Sequence, residues 1–271
     1  MRRFLFIGAH PDDPDILFGG TSLQLARAGH VVKFVSAANG NCGHYSMEKE
    51  ALAKRRFLEA QASARVAGIS EYQILDHPDC ALEASLENRE EIVRLIRKFR
   101  PDVVISHWIG DYHADHRAAG QLVMDAAYLL MVPLYCPDTP IPEKNPVFAY
   151  AYHRFTDPRA VRPDAAVEFD SVLEDKLRML DCHVSQFYEW LPWGDLGIKD
   201  FDASGMNWEE KKQWLSRWVK RFESAADLAR PLLRSVYGEK RGEKIRYAEV
   251  FEMSEYGARV SPEEFQKLFM P

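Results

Sequence analysis

The feature that most constrains this chain is an alternation of short apolar runs with stretches of helical periodicity. Residues 4–9, 30–38, 71–76 and 101–106 read as strands, rich in Val, Ile, Phe and Leu. Residues 21–29, 48–67, 87–100 and 116–131 carry apolar or small residues at helical spacing. In 87–100, Ile92, Leu95, Ile96 and Phe99 share one face, and Gly29 and Gly68 stop the first two helices. Strands separated by helices of this length form βαβ units, because a parallel neighbour needs a long crossover. The expectation is an α/β fold whose mostly parallel sheet is covered by helices on both faces.

The second half is less regular. Residues 147–153, 165–170 and 246–253 read as strands, 171–183 as a helix, and 207–236 as one long helix or a pair. The proline-rich stretch 133–146 reads as a loop on the surface or over the site. No repeat or linker divides the chain, so 1–271 is read as one domain with a C-terminal elaboration.

Composition narrows the function. The chain has 35 basic and 41 acidic residues, formally −6, which excludes the electrostatic footprint of a general nucleic-acid binder. It has no apolar run of about 18 residues, so no membrane-spanning helix is expected. Met1-Arg2-Arg3 followed by apolar residues resembles the start of a signal peptide, but the run ends at His10-Pro11-Asp12-Asp13 and reads instead as a core strand. Cys42, Cys80, Cys136 and Cys182 form no C-x-x-C pair, which points to reduced thiols in a cytoplasmic protein.

In open parallel sheets, ligands bind beyond the carboxyl ends of the strands, where the crossover direction changes. The first strand delivers His10, Asp12 and Asp13 to that edge. The others deliver Asn39-Gly40-Asn41, Asp76-His77-Pro78-Asp79, and His107 followed by "WIGDYHADHR" at 108–117. His10, Asp13 and His116 thus supply two imidazoles and a carboxylate from two loops. That set suits a catalytic zinc, and Fe²⁺, Mn²⁺ or Co²⁺ in its place. Asp12 adjoins a ligand but points elsewhere, as suits a base that takes a proton from a water held on the metal. His113 is placed to stabilise an oxyanion or protonate a leaving amine, and Asp115 to orient a ligand imidazole. Each motif alone has a bland reading: H-P-D-D as an acidic turn that caps a helix, H-x-D-H as chance. Their joint placement after two parallel strands favours a metal hydrolase.

These residues also resemble a known family. "AHPDDPDILFGGT" (9–21) and "DYHADHRAAG" (111–120) are similar to the A-H-P-D-D and H-x-D-H motifs of the PIG-L/LmbE-like N-acetylglucosamine de-N-acetylases. The likeness continues, in order, through "RRFLEAQASARVAGI" (55–69), "DHPDCAL" (76–82), "RPDVVISH" (100–107) and "KLRMLDCHVSQF" (176–187). It covers about 1–190 and leaves 191–271 as the elaboration, matched loosely in "YAEVFEM" (247–253). The resemblance implies a Rossmann-like three-layer fold, zinc dependence, and hydrolysis of an N-acetyl group on a glucosamine-type sugar. By position it makes His10, Asp13 and His116 the zinc ligands, Asp12 the base and His113 the electrophile or acid. It also adds Arg56 and Asp79 as sugar-pocket residues, although from the sequence alone Arg56 reads as a solvated charge and Asp79 as a turn residue.

The chain departs from the family where many members place a glutamate soon after H-P-D-D. Pro14-Asp15 stands here, with Asp15 read as a helix cap. Asp111 stands where some members carry a tyrosine, so Tyr112 receives no oxyanion role. His183, Ser185 and Gln186 match a later family motif and are read as structural support or a subunit contact. Trp108, Tyr188, Trp190 and Trp193 are either sugar-stacking walls or core and interface residues. The leading expectation is a cytoplasmic, homo-oligomeric zinc N-deacetylase of a small N-acetylated amino sugar, without nucleic-acid or membrane partners. The alternatives are a deacylase or esterase of a non-sugar substrate with the same metal site, and a non-catalytic sugar- or nucleotide-binding α/β protein. The absence of G-x-G-x-x-G after the first strand disfavours a dinucleotide enzyme.

Overall fold

The structure is a computed structural model that describes residues 1–270. Its first half follows the alternation: β1 (Arg3–Gly8), α1 (Asp13–Arg27), β2 (Val31–Ala38), α2 (Lys49–Ala67), β3 (Glu71–His77), α3 (Leu86–Phe99), β4 (Val103–Ser106) and α4 (Ala114–Leu129). The second half adds β5 (Val147–Ala151), β6 (Ala165–Glu168), α5 (Leu173–Asp181) and a π-helical turn at Ser185–Trp190. Then come α6 (Leu191–Gly194), α7 (Trp208–Val219), α8 (Arg221–Leu228), α9 (Arg230–Tyr237), α10 (Glu239–Gly242), β7 (Ala248–Gly257) and α11 (Pro262–Leu268).

The strands form one sheet in the order β3-β2-β1-β4-β5-β7-β6. The first five are parallel, and β7 runs antiparallel between β5 and β6. Successive strand residues face opposite sides of a sheet, so a strand covered on both sides must be apolar throughout. This is why β1 is an unbroken apolar run. Phe4 and Phe6 enter the core beneath α1, α2, α5 and the C-terminal helices, while Leu5 and Ile7 enter the core beneath α3 and α4. The result is a three-layer α/β fold. The C-terminal third belongs to it, since β7 bonds β6 to the rest of the sheet and Trp214, Leu215, Phe222 and Leu233 share a core with Phe4.

Several expectations needed correction. The first helix begins at Asp13 rather than 21. Pro14 lies in its first turn, where the missing N–H costs nothing, and Asp13 and Asp15 meet the positive end of its dipole. Gly19 and Gly20 therefore lie inside a helix, and Gly20 lets α1 approach Phe169. The long helix at 207–236 is three helices with breaks at Lys220 and Ala229, the second just before Pro231. The loop 133–146 lies away from the sheet edge that carries the polar clusters. Arg97 holds it by donating to the carbonyls of Tyr135, Cys136 and Thr139. No helix among the described residues is long and apolar enough to cross a membrane.

Strand β1 is the switch point: β2 and β3 lie on one side of it, β4 and β5 on the other. The register pairs Ile7 with Ser106, so the loops leaving β1 and β4 emerge side by side.

Candidate active site

The turn after β1 is built on Asp13. Its Oδ2 accepts from the amides of Ala9 (3.0 Å) and His10 (2.7 Å), which folds the carboxylate back over the strand end. Its other oxygen, Oδ1, lies 3.4 Å from His116 Nε2. Burial would raise the Asp13 pKa, but the charges of His116 and His107 and the His10 hydrogen bond hold it well below the usual carboxylate range.

The turn after β4 supplies the facing groups. His113 caps α4, its Nδ1 accepting from the Asp115 amide at 3.1 Å. That contact places the neutral ring's proton on Nε2. His116 lies about one turn further on, with Nδ1 3.1 Å from Asp111 Oδ1. On His10, Nε2 is held by Asp79 Oδ1 at 3.0 Å and Asp115 Oδ2 at 3.3 Å, while Nδ1 lies 3.5 Å from Asp13. Asp115 is itself anchored by the amides of Cys80 (2.7 Å) and Leu82 (3.3 Å).

His10 and His116 thus each have an outer nitrogen on a carboxylate, whereas His113 is held by a backbone amide. This is the arrangement that orients metal-ligating histidines. His10 Nδ1, Asp13 Oδ1 and His116 Nε2 are left facing inward. Three-donor sets within 4.8 Å of one another include His10–His113–His116 and Asp13–His107–His116. The expected trio is joined through Asp13, which lies close to both histidines. The charge balance also fits a cation. Burial alone would lower the His10 pKa, yet hydrogen bonds accepted by the carboxylates of Asp115, Asp13 and Asp79 raise it well above the ordinary imidazole value. The site is short of positive charge, and a divalent ion would supply it.

Asp12 and Arg56 form a pair beside this centre. Arg56 Nη2 donates to Asp12 Oδ1 at 2.7 Å and Nη1 to the Gly40 carbonyl at 3.3 Å. The solvated reading of Arg56 is overturned, for the residue is 2% exposed. Gly40 has φ +71°, and a Cβ there would lie 2.6 Å from Arg56 Nη1, so the guanidinium occupies the space a side chain would take. Asp79 lies 3.9 Å from Arg56 besides holding His10. Burial would raise its pKa, but the hydrogen bond and charge of His10, with Arg56, depress it strongly. Cys80 borders the site with its thiol pushed up to about 11, chiefly by burial and then by Asp79.

The sequence reading assigned no role to His107 or Asp111. His107 Nε2 lies 3.1 Å from Asp13 Oδ2 and 3.1 Å from the Ala9 amide. Its ring stacks on His116 at 4.1 Å. Its position at the end of the fourth apolar run was the available signal. Asp111 was visible only as an acid five residues before His116. Asp15 is not a cap: fully buried, it accepts from Ser63 Oγ and from Tyr72 Oη (3.1 Å) and lies 3.2 Å from His183 Nε2. Ser185 binds Glu59 of α2 through both its amide (2.9 Å) and its hydroxyl (2.6 Å), and Gln186 donates to the Gly43 carbonyl at 3.1 Å. His183 and the π-helical turn that follows it therefore brace α1 and α2 behind the site.

A cavity of about 310 Å³ opens over these groups. Trp108 and Trp190 line it. Tyr188 does not; its hydroxyl donates to Asp181 at 2.6 Å within the core. Trp193 stacks on Trp190 (5.5 Å) and Tyr45 (5.4 Å).

The chain is similar to several known proteins. The family model PIG-L, described as GlcNAc-PI de-N-acetylase, matches residues 5–127. The diacetylchitobiose deacetylase of Thermococcus kodakarensis is 33% identical over 205 residues, which are 71% of this chain and 74% of that protein. A probable N-acetyl-alpha-D-glucosaminyl L-malate deacetylase 2 of Bacillus cereus is 26% identical, covering 80% of this chain and 99% of its own. Among solved structures, the N,N'-diacetylchitobiose deacetylase from Pyrococcus horikoshii superposes with a TM-score of 0.68 at 26% identity, covering 93% of this chain and 84% of its own. A 4-carboxy-2-hydroxymuconate hydratase from Pseudomonas putida reaches 0.71 at 21% identity, covering 96% and 98%, a likeness of fold.

Proposed function

The chain belongs to the PIG-L family, and on that premise we propose that it is a metal-dependent N-deacetylase of a small molecule containing N-acetylglucosamine. The observation that carries the reading is the pairing of a carboxylate-oriented donor set, His10, Asp13 and His116, with a separate, arginine-held carboxylate, Asp12. A binding protein has no need of the second carboxylate. A hydrolase needs it as a base.

Zinc suits the donors, and Fe²⁺, Mn²⁺ or Co²⁺ share the preference for imidazole and carboxylate. When bound, the ion supplies Lewis acidity that lowers the pKa of a water and polarises the amide carbonyl. The remaining steps fall to the protein. Asp12, held by Arg56, accepts the proton of the attacking water. His113 donates Nε2–H toward the oxygen that gains charge, because the Asp115 amide occupies Nδ1. Burial first, then the charges of His10 and His116, keep the His113 pKa below the ordinary value, so the ring is a neutral donor at neutral pH. As the C–N bond breaks, Asp12 returns its proton to the amine, and acetate and the free amino sugar leave. Asp79 and Arg56 support this centre as the partners of His10 and Asp12.

We take 1–271 as one domain, since β7 lies within the sheet. Four free thiols support a cytoplasmic setting, and the exposed Tyr128 and Leu134 support self-association. The test is to offer zinc-loaded protein a panel of N-acetylglucosamine conjugates and follow acetate and primary amine together. Equimolar release is expected from at least one conjugate. Metal-loaded protein that releases neither from any of them would end the reading.

A further inference from the structure

His107 follows the last residue of β4 and is only 2% exposed. Its Nε2 lies 3.1 Å from Asp13 Oδ2. Its ring lies nearly parallel to that of His116, with 4.1 Å between centroids and 11° between planes. One buried side chain thus touches two of the three expected metal donors. The surrounding elements hold it there. Phe6 of β1 meets the imidazole nearly at right angles, at 6.4 Å and 82°. Gly120 lets α4, which carries His116, pack on the end of β4, for a Cβ there would lie 2.7 Å from the His107 carbonyl oxygen.

The contact with Asp13 carries a proton. The Ala9 amide, 3.1 Å from Nε2, already donates to Asp13 Oδ2 at 3.0 Å. A carboxylate oxygen has no hydrogen to give, so the contact between Nε2 and Oδ2 is attractive only when Nε2–H donates. Oδ2 then accepts from His107 and from the amides of Ala9 and His10. That leaves Oδ1, 3.4 Å from His116 Nε2, as the oxygen free for a metal. Asp13, His107 and His116 bring donor atoms within 4.8 Å of one another, but the stack separates their roles. An imidazole binds a metal along the lone pair in its own ring plane. An ion in the plane of His116 therefore lies a stacking distance out of the plane of His107, which supports His116 without sharing its ion.

We propose that His107 is a positioning residue that limits Asp13 to one metal-binding oxygen and fixes the ring plane of His116, so that the bound ion keeps a low coordination number and an open position. This rests on the metal centre of the proposed function and is independent of the substrate. Facing an apolar ring instead of an N–H, the buried Oδ2 would gain by turning onto the ion. The carboxylate would then bind through both oxygens and fill the position that a four-coordinate hydrolytic ion keeps for water.

The experiment compares wild type with His107→Phe, which keeps a stacked ring and loses the N–H, and with His107→Gln, which keeps an N–H and loses the ring. Each protein is stripped of metal, loaded with Co²⁺ for visible absorption, and separately loaded with zinc for chelator competition. Four-coordinate Co²⁺ absorbs visible light far more strongly than six-coordinate Co²⁺, so the band reads coordination number without any substrate. Wild type should show the intense band. His107→Phe should lose most of it and bind zinc about 10- to 100-fold more weakly. His107→Gln should keep the band, with a zinc affinity between those of the other two. If His107→Phe does not fold, His107→Gln decides: an intense band with weakened zinc supports the role, and an unchanged zinc affinity overturns it. A band and affinity equal to wild type in His107→Phe would overturn the proposal, as would a weak band in wild type. Complete loss of the ion from His107→Phe would make His107 a ligand and overturn it too. Wild type that binds neither ion overturns both this role and the metal-dependent reading. Variants that respond as expected, in a protein that deacetylates no conjugate, support the role and overturn the deacetylase reading alone.

Discussion

Gly19 and Gly20 are neighbours in α1, but the structure predicts opposite outcomes for the same substitution. A Cβ on Gly19 would lie 3.4 Å from Met179 Cε, the far end of a flexible side chain and an ordinary contact. Replacing glycine by alanine in a helix then gains about 0.5–1 kcal/mol in backbone entropy. A Cβ on Gly20 would lie 2.4 Å from Phe169 Cβ and 2.8 Å from its Cγ. Phe169 is fully buried and its Cβ cannot rotate away, so helix and strand end must separate by about an ångström. Overpacking of that kind costs about 1–3 kcal/mol or more, against the same gain of up to about 1 kcal/mol. The shift would also strain the bonds from Gly20 N (2.9 Å) and Thr21 N (2.7 Å) to buried Glu249, so we take the upper part of that range. Gly19→Ala should therefore raise Tm by about 1–4 °C, and Gly20→Ala should lower it by about 4–8 °C, at roughly 2–4 °C per kcal/mol for a chain of this size. Differential scanning calorimetry of the two metal-free variants beside wild type measures both. The packing argument is refuted if Gly20→Ala melts at or above wild type, or if the two variants move together.

Other consequences follow from the site. Asp12→Asn should keep the metal, measured by elemental analysis, while kcat falls about 10²- to 10⁴-fold with the loss of the base; full turnover would remove Asp12 from the mechanism. His116→Ala should lose the ion, and Asp111→Asn, which loosens the 3.1 Å contact on His116 Nδ1, should weaken metal affinity about 10- to 100-fold in a chelator competition. His30 accepts from the Arg2 amide at 2.9 Å, and burial, then the Arg2 charge, lower its pKa from 6.5. Its neutral form is favoured in the fold, so its contribution is present above the ordinary imidazole pKa and is lost as pH falls through the lowered folded value. His30→Gln should flatten the decline in urea midpoint between about pH 7 and pH 5; an unchanged slope would exclude the contribution.

The fold was legible wherever local physics writes it into consecutive residues. The apolar runs of β1, β2 and β4 are continuous because both sheet faces are covered, and that burial is visible without knowing the partners. The start of α1 was missed because two glycines resemble a loop until Phe169 is placed against one of them. The break between α7 and α8 carries no proline or glycine at Lys220 and could not be seen.

The site divides in the same way. The sequence by itself determined that His10, Asp12 and Asp13 share one turn and that His113 and His116 share one helix start, since positions so close in the chain cannot be far apart in space. Strand order at the switch point then required the two groups to meet. Only the tertiary structure decided which nitrogen of His10 faces inward, because Asp79 and Asp115 hold its other nitrogen from the turns after β3 and β4. It also turned Arg56 from a surface charge into the buried partner of Asp12. Burial and charge compensation are properties of what surrounds a residue, and for these groups the surroundings come from distant parts of the chain.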